Sequence, residues 1–186
     1  MHNKISAFTL VELLVTIAVG AIVLAIGVPS FQNIMQTNQL ATQTNKFISA
    51  MNYARSEAVK RKENVIICPS TASGVCNAGN SFENGWLIYV DEDRSSDFTA
   101  GDTSLWLNGA LSNSLTLRGN TNVANQIVFN SRGRPSASGS LIVCVDDDRT
   151  LARRIVVPLS GNLRLAESST NGIPLENDGT EIGSCT

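Results

Sequence analysis

The sequence predicts an α+β fold: one long N-terminal α-helix packed on antiparallel β-sheet. Two observations carry this. From Phe8 to about Lys62 nothing interrupts a helix except Pro29, with Gly20 and Gly27 as soft points. After Asn64 the chain changes to short β-rich runs separated by Gly, Asn, Ser and Asp. A third observation divides the helix. Its first half is apolar and its second half is amphipathic.

Residues 1–7 are a short polar leader holding His2 and Lys4 and ending at Ala7. An apolar run starts abruptly at Phe8 and continues to Val28. About 20 apolar residues suffice to cross a bilayer as a helix. One acid, Glu12, interrupts this run. A carboxylate near the bilayer centre costs roughly 2.5–3.5 kcal/mol, so a chain that keeps Glu12 is expected to supply it with a partner. An ordinary secretory signal has its small-residue cleavage site after the apolar core. Here the small residue, Ala7, precedes the core. Cutting after Ala7 leaves the apolar segment on the mature chain. It also creates an α-amino group about one helical turn from Glu12 of a neighbouring, axially shifted copy. The alternative is an ordinary membrane anchor with an incidental glutamate.

AFTLVELLV, with Pro29 further on, resembles the class III leader of type IV pilins and pseudopilins. The resemblance implies that a prepilin peptidase cuts before Phe8 and that Phe8 is N-methylated. It implies that Glu12 is the assembly acid and Pro29 the kink-forming proline. The family usually has Gly before the cut, where this chain has Ala7. It further implies a single pass through the inner-membrane lipid of a bacterium, with the C-terminal domain periplasmic. After processing the chain would enter a pilus or pseudopilus beside other major and minor pilins or pseudopilins.

Residues 8–29 are therefore read as a transmembrane and assembly helix, and residues 30–63 as its amphipathic second half. The whole would form a rod of roughly 80 Å at about 1.5 Å per residue. Leu40, Thr44, Phe47, Met51, Ala54 and Ala58 recur at spacings of three and four, which makes one buried stripe. Gln39, Gln43, Lys46, Glu57 and Lys60 are expected off that stripe. Lys60, Arg61 and Lys62 suit the negative pole at the helix end.

Residues 64–186 are read as the periplasmic β-rich domain. Strands are expected at 65–68, 86–90, 104–107, 115–118, 126–130, 141–145, 154–157 and 163–166. The tail from Ser168 reads as polar and irregular as far as Cys185. Trp86 and Trp106 fall in expected strands and are read as core residues. This order of elements, with YARSEAVKRKENVIICPS and GWLIYVDEDR, resembles the H-type pseudopilins of type II secretion and the FimT/FimU minor pilins. The resemblance implies a non-catalytic minor subunit that assembles into or primes a type IV pilus. The alternative it leaves open is the H-type pseudopilin of type II secretion.

Composition narrows the function classes. About 150 residues follow the leader and membrane segment, enough for one domain with its own core. The net charge is −2. Losing Lys4 takes the basic count from 14 to 13 against 16 acids, a net of −3. A broadly nucleic-acid-binding surface is not the default at that charge. The single histidine is His2, in the leader. The mature chain thus lacks the commonest general base and metal ligand. No nucleophile, phosphate-loop or zinc motif is present, so neither catalysis nor a cofactor is expected.

The four cysteines are Cys68, Cys76, Cys144 and Cys185. An even count in an exported domain reads as two disulfides with three possible pairings. Cys68–Cys76 with Cys144–Cys185 is preferred, because the first closes a short Ser/Gly/Asn-rich loop and the second ties the tail to a strand. Four free thiols are the alternative for a domain facing the cytoplasm.

DEDRSSDFTAGD places Asp91, Asp93, Ser95, Asp97 and Asp102 at the first, third, fifth, seventh and twelfth positions of a loop, with Asp102 where calcium loops have a bidentate Glu. Oxygen ligands at that spacing suit Ca²⁺. The sixth position is Ser96 where calcium loops have Gly, and the flanks read as strands. A solvated acidic hairpin loop is therefore preferred to a calcium site. Arg132 and Arg134 flank Gly133, and Arg149, Arg153, Arg154 and Arg164 follow. Some FimT-type minor pilins are understood to bind DNA through Gly-Arg-x-Arg. The corresponding segment here is Gly161-Asn162-Leu163-Arg164, which keeps only the second arginine. DNA contact by Arg132, Arg134 and Arg164 is the minority reading, since Asp146, Asp147 and Asp148 would oppose a phosphate backbone. A solvated strand face with local ion pairs is preferred.

Overall fold

The computed structural model describes residues 9–71, 74–76, 79, 81–112 and 114–185. Its helix is α1 (Leu10–Arg61). Eight strands follow: β1 (Asn64–Pro69), β2 (Trp86–Asp91), β3 (Thr103–Asn108), β4 (Leu115–Gly119), β5 (Ile127–Phe129), β6 (Gly139–Val145), β7 (Asp148–Val157) and β8 (Arg164–Leu165). The fold is α+β, with one long helix and antiparallel sheet. Two compact units divide at Asn38 and Gln39.

In the first unit α1 starts at a capped end. The Glu12 N–H donates to Thr9 Oγ1 at 3.2 Å. Thr9-Leu-Val-Glu12 has the capping-box spacing, which satisfies a helix donor that would otherwise lack a partner. The helix runs on through Pro29, whose missing N–H removes one bond from the ladder. The apolar side chains of this stretch point outward: Leu10, Leu14, Ile17, Ile22, Ile26 and Phe31 are all more than half exposed.

In the second unit the remainder of α1 supplies a buried stripe of Leu40, Thr44, Phe47, Met51, Ala54 and Ala58, joined by Ala50. Glu57 corrects the sequence expectation. It is buried, not off the stripe. The Lys60 Nζ at 3.2 Å and Arg61 Nε at 2.7 Å neutralise it there. The Arg61 hydrogen bond holds the Glu57 carboxyl below its ordinary range. Lys62 ends the helix in the left-handed conformation at φ 60°.

The strands form two sheets of four, ordered β3-β2-β1-β5 and β4-β6-β7-β8. Strand alternation sends one face of each sheet into a shared core. Val65 and Ile67 of β1, Trp86 and Ile88 of β2, Leu141 and Val143 of β6, and Ile155 and Val157 of β7 meet the α1 stripe there. The opposite faces close under smaller clusters. Ile66, Cys68, Leu87 and Tyr89 lie under Cys76 and Phe98. Cys144, Ala152, Ile173, Ile182 and Cys185 form the other.

Two expectations about elements change. β7 starts at Asp148, six residues before the expected 154. Asp146 and Asp147 both take positive φ, at 49° and 58°, so two residues turn β6 directly into β7. Their acidity reads as a linker, yet Asp tolerates this conformation well. The tail is also more ordered than its polarity implied, with bridges Ser168↔Pro174 and Leu175↔Glu181. A short 3-10 turn at Phe82–Asn84, unforeseen in the sequence, buries Phe82. It leads into β2 through Gly85, at φ 119°. A Cβ there would strike the Asn108 carbonyl and come within 2.8 Å of the Ser70 carbonyl oxygen.

Candidate functional site

Glu12 stands in the first turn of α1. It is the only charged side chain between Thr9 and Asn45. Among the described residues none forms an ion pair with it. It therefore sits exposed among exposed Leu, Val and Ile, on a helix long and apolar enough to cross a membrane. Pro29 lies in the same exposed stretch. Ala7 and Phe8 lie outside the described residues.

The four cysteines join as Cys68–Cys76 and Cys144–Cys185. Each bridge sits in one of the two back-face clusters. The first staples the loop after β1 to the outer face of its own sheet. The second fixes the C-terminal tail on β6. The chain-entropy effect grows with loop length, so the bridge of separation 41 outweighs the one of separation 8. The Cys144→Ser/Cys185→Ser double variant is expected to lose about 4 kcal/mol, against about 2.5 kcal/mol for Cys68→Ser/Cys76→Ser. Chemical denaturation of the two double variants beside the parent protein measures this. A larger loss at the short loop would contradict the entropic account.

Between β2 and β3 the structure gathers carboxylate oxygens of Asp91, Asp93 and Asp102 within 4.8 Å of one another. Asp97 stays outside this group, and its backbone carbonyl accepts from Ser95 Oγ. Ser96 takes φ 65° although it is not glycine. The Ser95 hydroxyl and N–H hold the Asp93 carboxyl below its usual range. Tyr89, which donates to the Ser96 carbonyl oxygen at 3.0 Å, has its phenol pushed upward by burial and then by these negative charges.

A family model for the type II transport protein GspH matches residues 43–161, more than half of the chain. The chain belongs to the GspH family. A second model, the prokaryotic N-terminal methylation motif, matches residues 2–28. The type IV minor pilin FimU of Pseudomonas aeruginosa has a similar fold, with a TM-score of 0.60 at 18% identity over 80% of this chain and 96% of FimU. A second crystal form of FimU gives 0.57 at 17% identity over 79% of this chain and 100% of its own. The minor pseudopilin EpsH of the Vibrio cholerae type 2 secretion system gives 0.46 at 15% identity, over 68% of this chain and 95% of EpsH. No curated protein matches the sequence. Members of the GspH family are structural subunits of the minor-pilin or H-type pseudopilin kind, and this chain is one of them.

In this family member several arginines hold the fold together. Arg154 is only 4% exposed, not part of a solvated strand face. Its guanidinium donates to the Leu175 carbonyl at 2.9 Å and pairs with Glu176 at 3.0 Å. Arg149 donates to the Ile182 carbonyl at 3.0 Å. Both therefore pin the tail that Cys185 anchors. Arg134 donates to the Leu159 carbonyl at 3.2 Å, which brings the turn at Gly133 against the turn at Gly161. Arg132 is exposed beside it. Arg164 is exposed on β8 and lines a shallow groove with Arg154, Asn177 and Glu176. Leu159, whose carbonyl accepts from Arg134, also lines a groove with Arg164. In the sequence Arg154 is one of an adjacent pair with Arg153, and the partners that single it out lie more than twenty residues away.

Proposed function

We propose that this protein is a minor pilin that assembles into, or primes, a type IV pilus. Residues 8–29 enter the inner membrane, and residues 64–186 form the periplasmic domain. A prepilin peptidase cuts between Ala7 and Phe8 and methylates the new amine. In the filament, Glu12 meets the Phe8 amine of an adjacent copy or of another pilin, and the pair sets axial register. Pro29 gives the helix a point at which to adapt as lipid contacts are replaced by helix–helix contacts.

The observation that carries this reading is Glu12. It is a lone carboxylate on an exposed apolar helix, and its own helix offers no cation before Lys46. A partner from another copy satisfies it where lipid cannot. The match of residues 2–28 to the N-terminal methylation motif supports the same chemistry. Mass spectrometry of the protein purified from its native host is expected to find a chain starting at methylated Phe8. A chain that keeps its first seven residues with Phe8 unmodified would falsify the reading.

A second reading is favoured by the description of the family itself, type II transport. There the same processed helix enters the pseudopilus of a secretion system. The two disulfide-stapled faces support the pilus reading, because a filament outside the cell is exposed to shear and proteases. Shearing native filaments and probing them for this chain separates the readings. Recovery with pili supports the first. A secretion defect on deletion, with pili intact, supports the second.

A further inference from the structure

The acidic group between β2 and β3 is built differently from an ordinary solvated loop. Asp91 closes β2 and Asp102 stands immediately before β3, so they sit at the two ends of the loop, with Asp93 beside the first. Asp91 is 0% exposed. Its Oδ1 accepts the Ser96 N–H at 3.3 Å, while its Oδ2 is buried without a hydrogen-bond partner. A buried carboxylate oxygen left unpaired is expensive, and crowding two more carboxylates against it raises the cost. No cation among the described residues pairs with it or with the other two carboxylates. The nearby Arg94 instead points to Glu63, at 3.9 Å.

We propose that Asp91, Asp93 and Asp102 bind a Ca²⁺ ion at the base of the β2–β3 loop. Their carboxylate oxygens lie within 4.8 Å of one another. Opposite ligands across Ca²⁺ at bond lengths of about 2.4 Å are separated by about that limit, so the three oxygens are close enough to share one ion. All three are hard oxygen donors, as Ca²⁺ requires, and both cysteine pairs are consumed in disulfides, so no soft ligand competes. Thr99 Oγ1 lies 3.0 Å from Asp93 Oδ2 and 3.1 Å from Asp102 Oδ2, so a hydroxyl is at hand beside the carboxylates. Water completes the shell. Ca²⁺ suits such a mixed, irregular set better than Mg²⁺, which demands a near-ideal octahedron. The ion ties together the two ends of the loop and neutralises the charge that faces Tyr89. This site is independent of whether the chain serves a pilus or a secretion system.

The test uses the full chain in detergent micelles after EDTA treatment, titrated with CaCl₂ by calorimetry and melted in CaCl₂ or EDTA. One site with a dissociation constant on the order of 10⁻⁴–10⁻³ M is expected, the range of extracellular modules. The melting temperature is expected to be higher in CaCl₂, by mass action. MgCl₂ should bind at least about tenfold more weakly. Asp93→Asn, at an exposed position, and Asp102→Asn should each weaken Ca²⁺ binding about tenfold or more. Asp97→Asn should leave it unchanged. Should Asp102→Asn fail to fold, Asp93→Asn decides. The assignment is overturned by no heat and no melting shift at about 10 mM CaCl₂, by an equal response to MgCl₂, by full binding in Asp93→Asn, or by loss of binding in Asp97→Asn.

Discussion

Glu12→Ala is expected to leave the protein in the membrane and to remove it from filaments. The two effects have opposite signs at a single carboxylate. For the monomer in lipid the substitution is favourable, since an acid in the apolar segment costs roughly 2.5–3.5 kcal/mol near the bilayer centre. For the filament it removes the only charged group between Thr9 and Asn45 that could answer an amine on the neighbouring subunit. Breaking such a pair also strands the other charge in a low-dielectric setting, which costs about 3–5 kcal/mol in buried cases. Incorporation should therefore fall by at least about a hundredfold. Membrane fractionation and immunoblotting of sheared filaments measure the two quantities in one culture. Normal incorporation of Glu12→Ala contradicts the assembly mechanism, whatever the fold of the domain.

Phe47→Ala is expected to destabilise the folded domain by about 3–5 kcal/mol. Phe47 is fully buried and joins three elements at once. Its ring meets Phe82 edge-on at 5.4 Å and Trp86 at 5.0 Å. Truncation removes both contacts and leaves a void between α1, the 3-10 turn and β2. Phe31→Ala offers the control, because that ring is 62% exposed. It should change stability by less than about 0.5 kcal/mol. Denaturant midpoints of the two variants in the same detergent make the comparison. Equal losses would mean that the exposed apolar stretch, not the stripe, anchors the fold.

The elements were legible because their signals are local. Phe47, Met51, Ala54 and Ala58 recur with helical period, and burial follows that stripe. Strand pairs such as Val65/Ile66 and Leu87/Ile88 alternate between core and back-face clusters, as period two requires. At Glu83 a distant partner overrode the local signal. Glu83 looks like a solvent-facing acid in a loop. It instead pairs with Arg118 at 3.2 Å and accepts the Leu117 N–H at 3.3 Å, tying the 3-10 turn to β4. Asp148 reads as part of an acidic linker. It opens a ten-residue strand, and Thr150 holds its carboxyl below the ordinary range.

The sequence by itself determined the architecture class, the break in character at Asn64, the lone acid in the apolar run and the leader-like start, because periodicity, turn chemistry and a misplaced charge are readable over a few residues. Only the tertiary structure decided the strand order β3-β2-β1-β5, the pinning of the tail by Arg149 and Arg154, and the burial of Asp91. The physical reason is desolvation. Whether a charged group meets water or protein depends on segments that arrive from tens of residues away, and no local pattern records which of them will cover it.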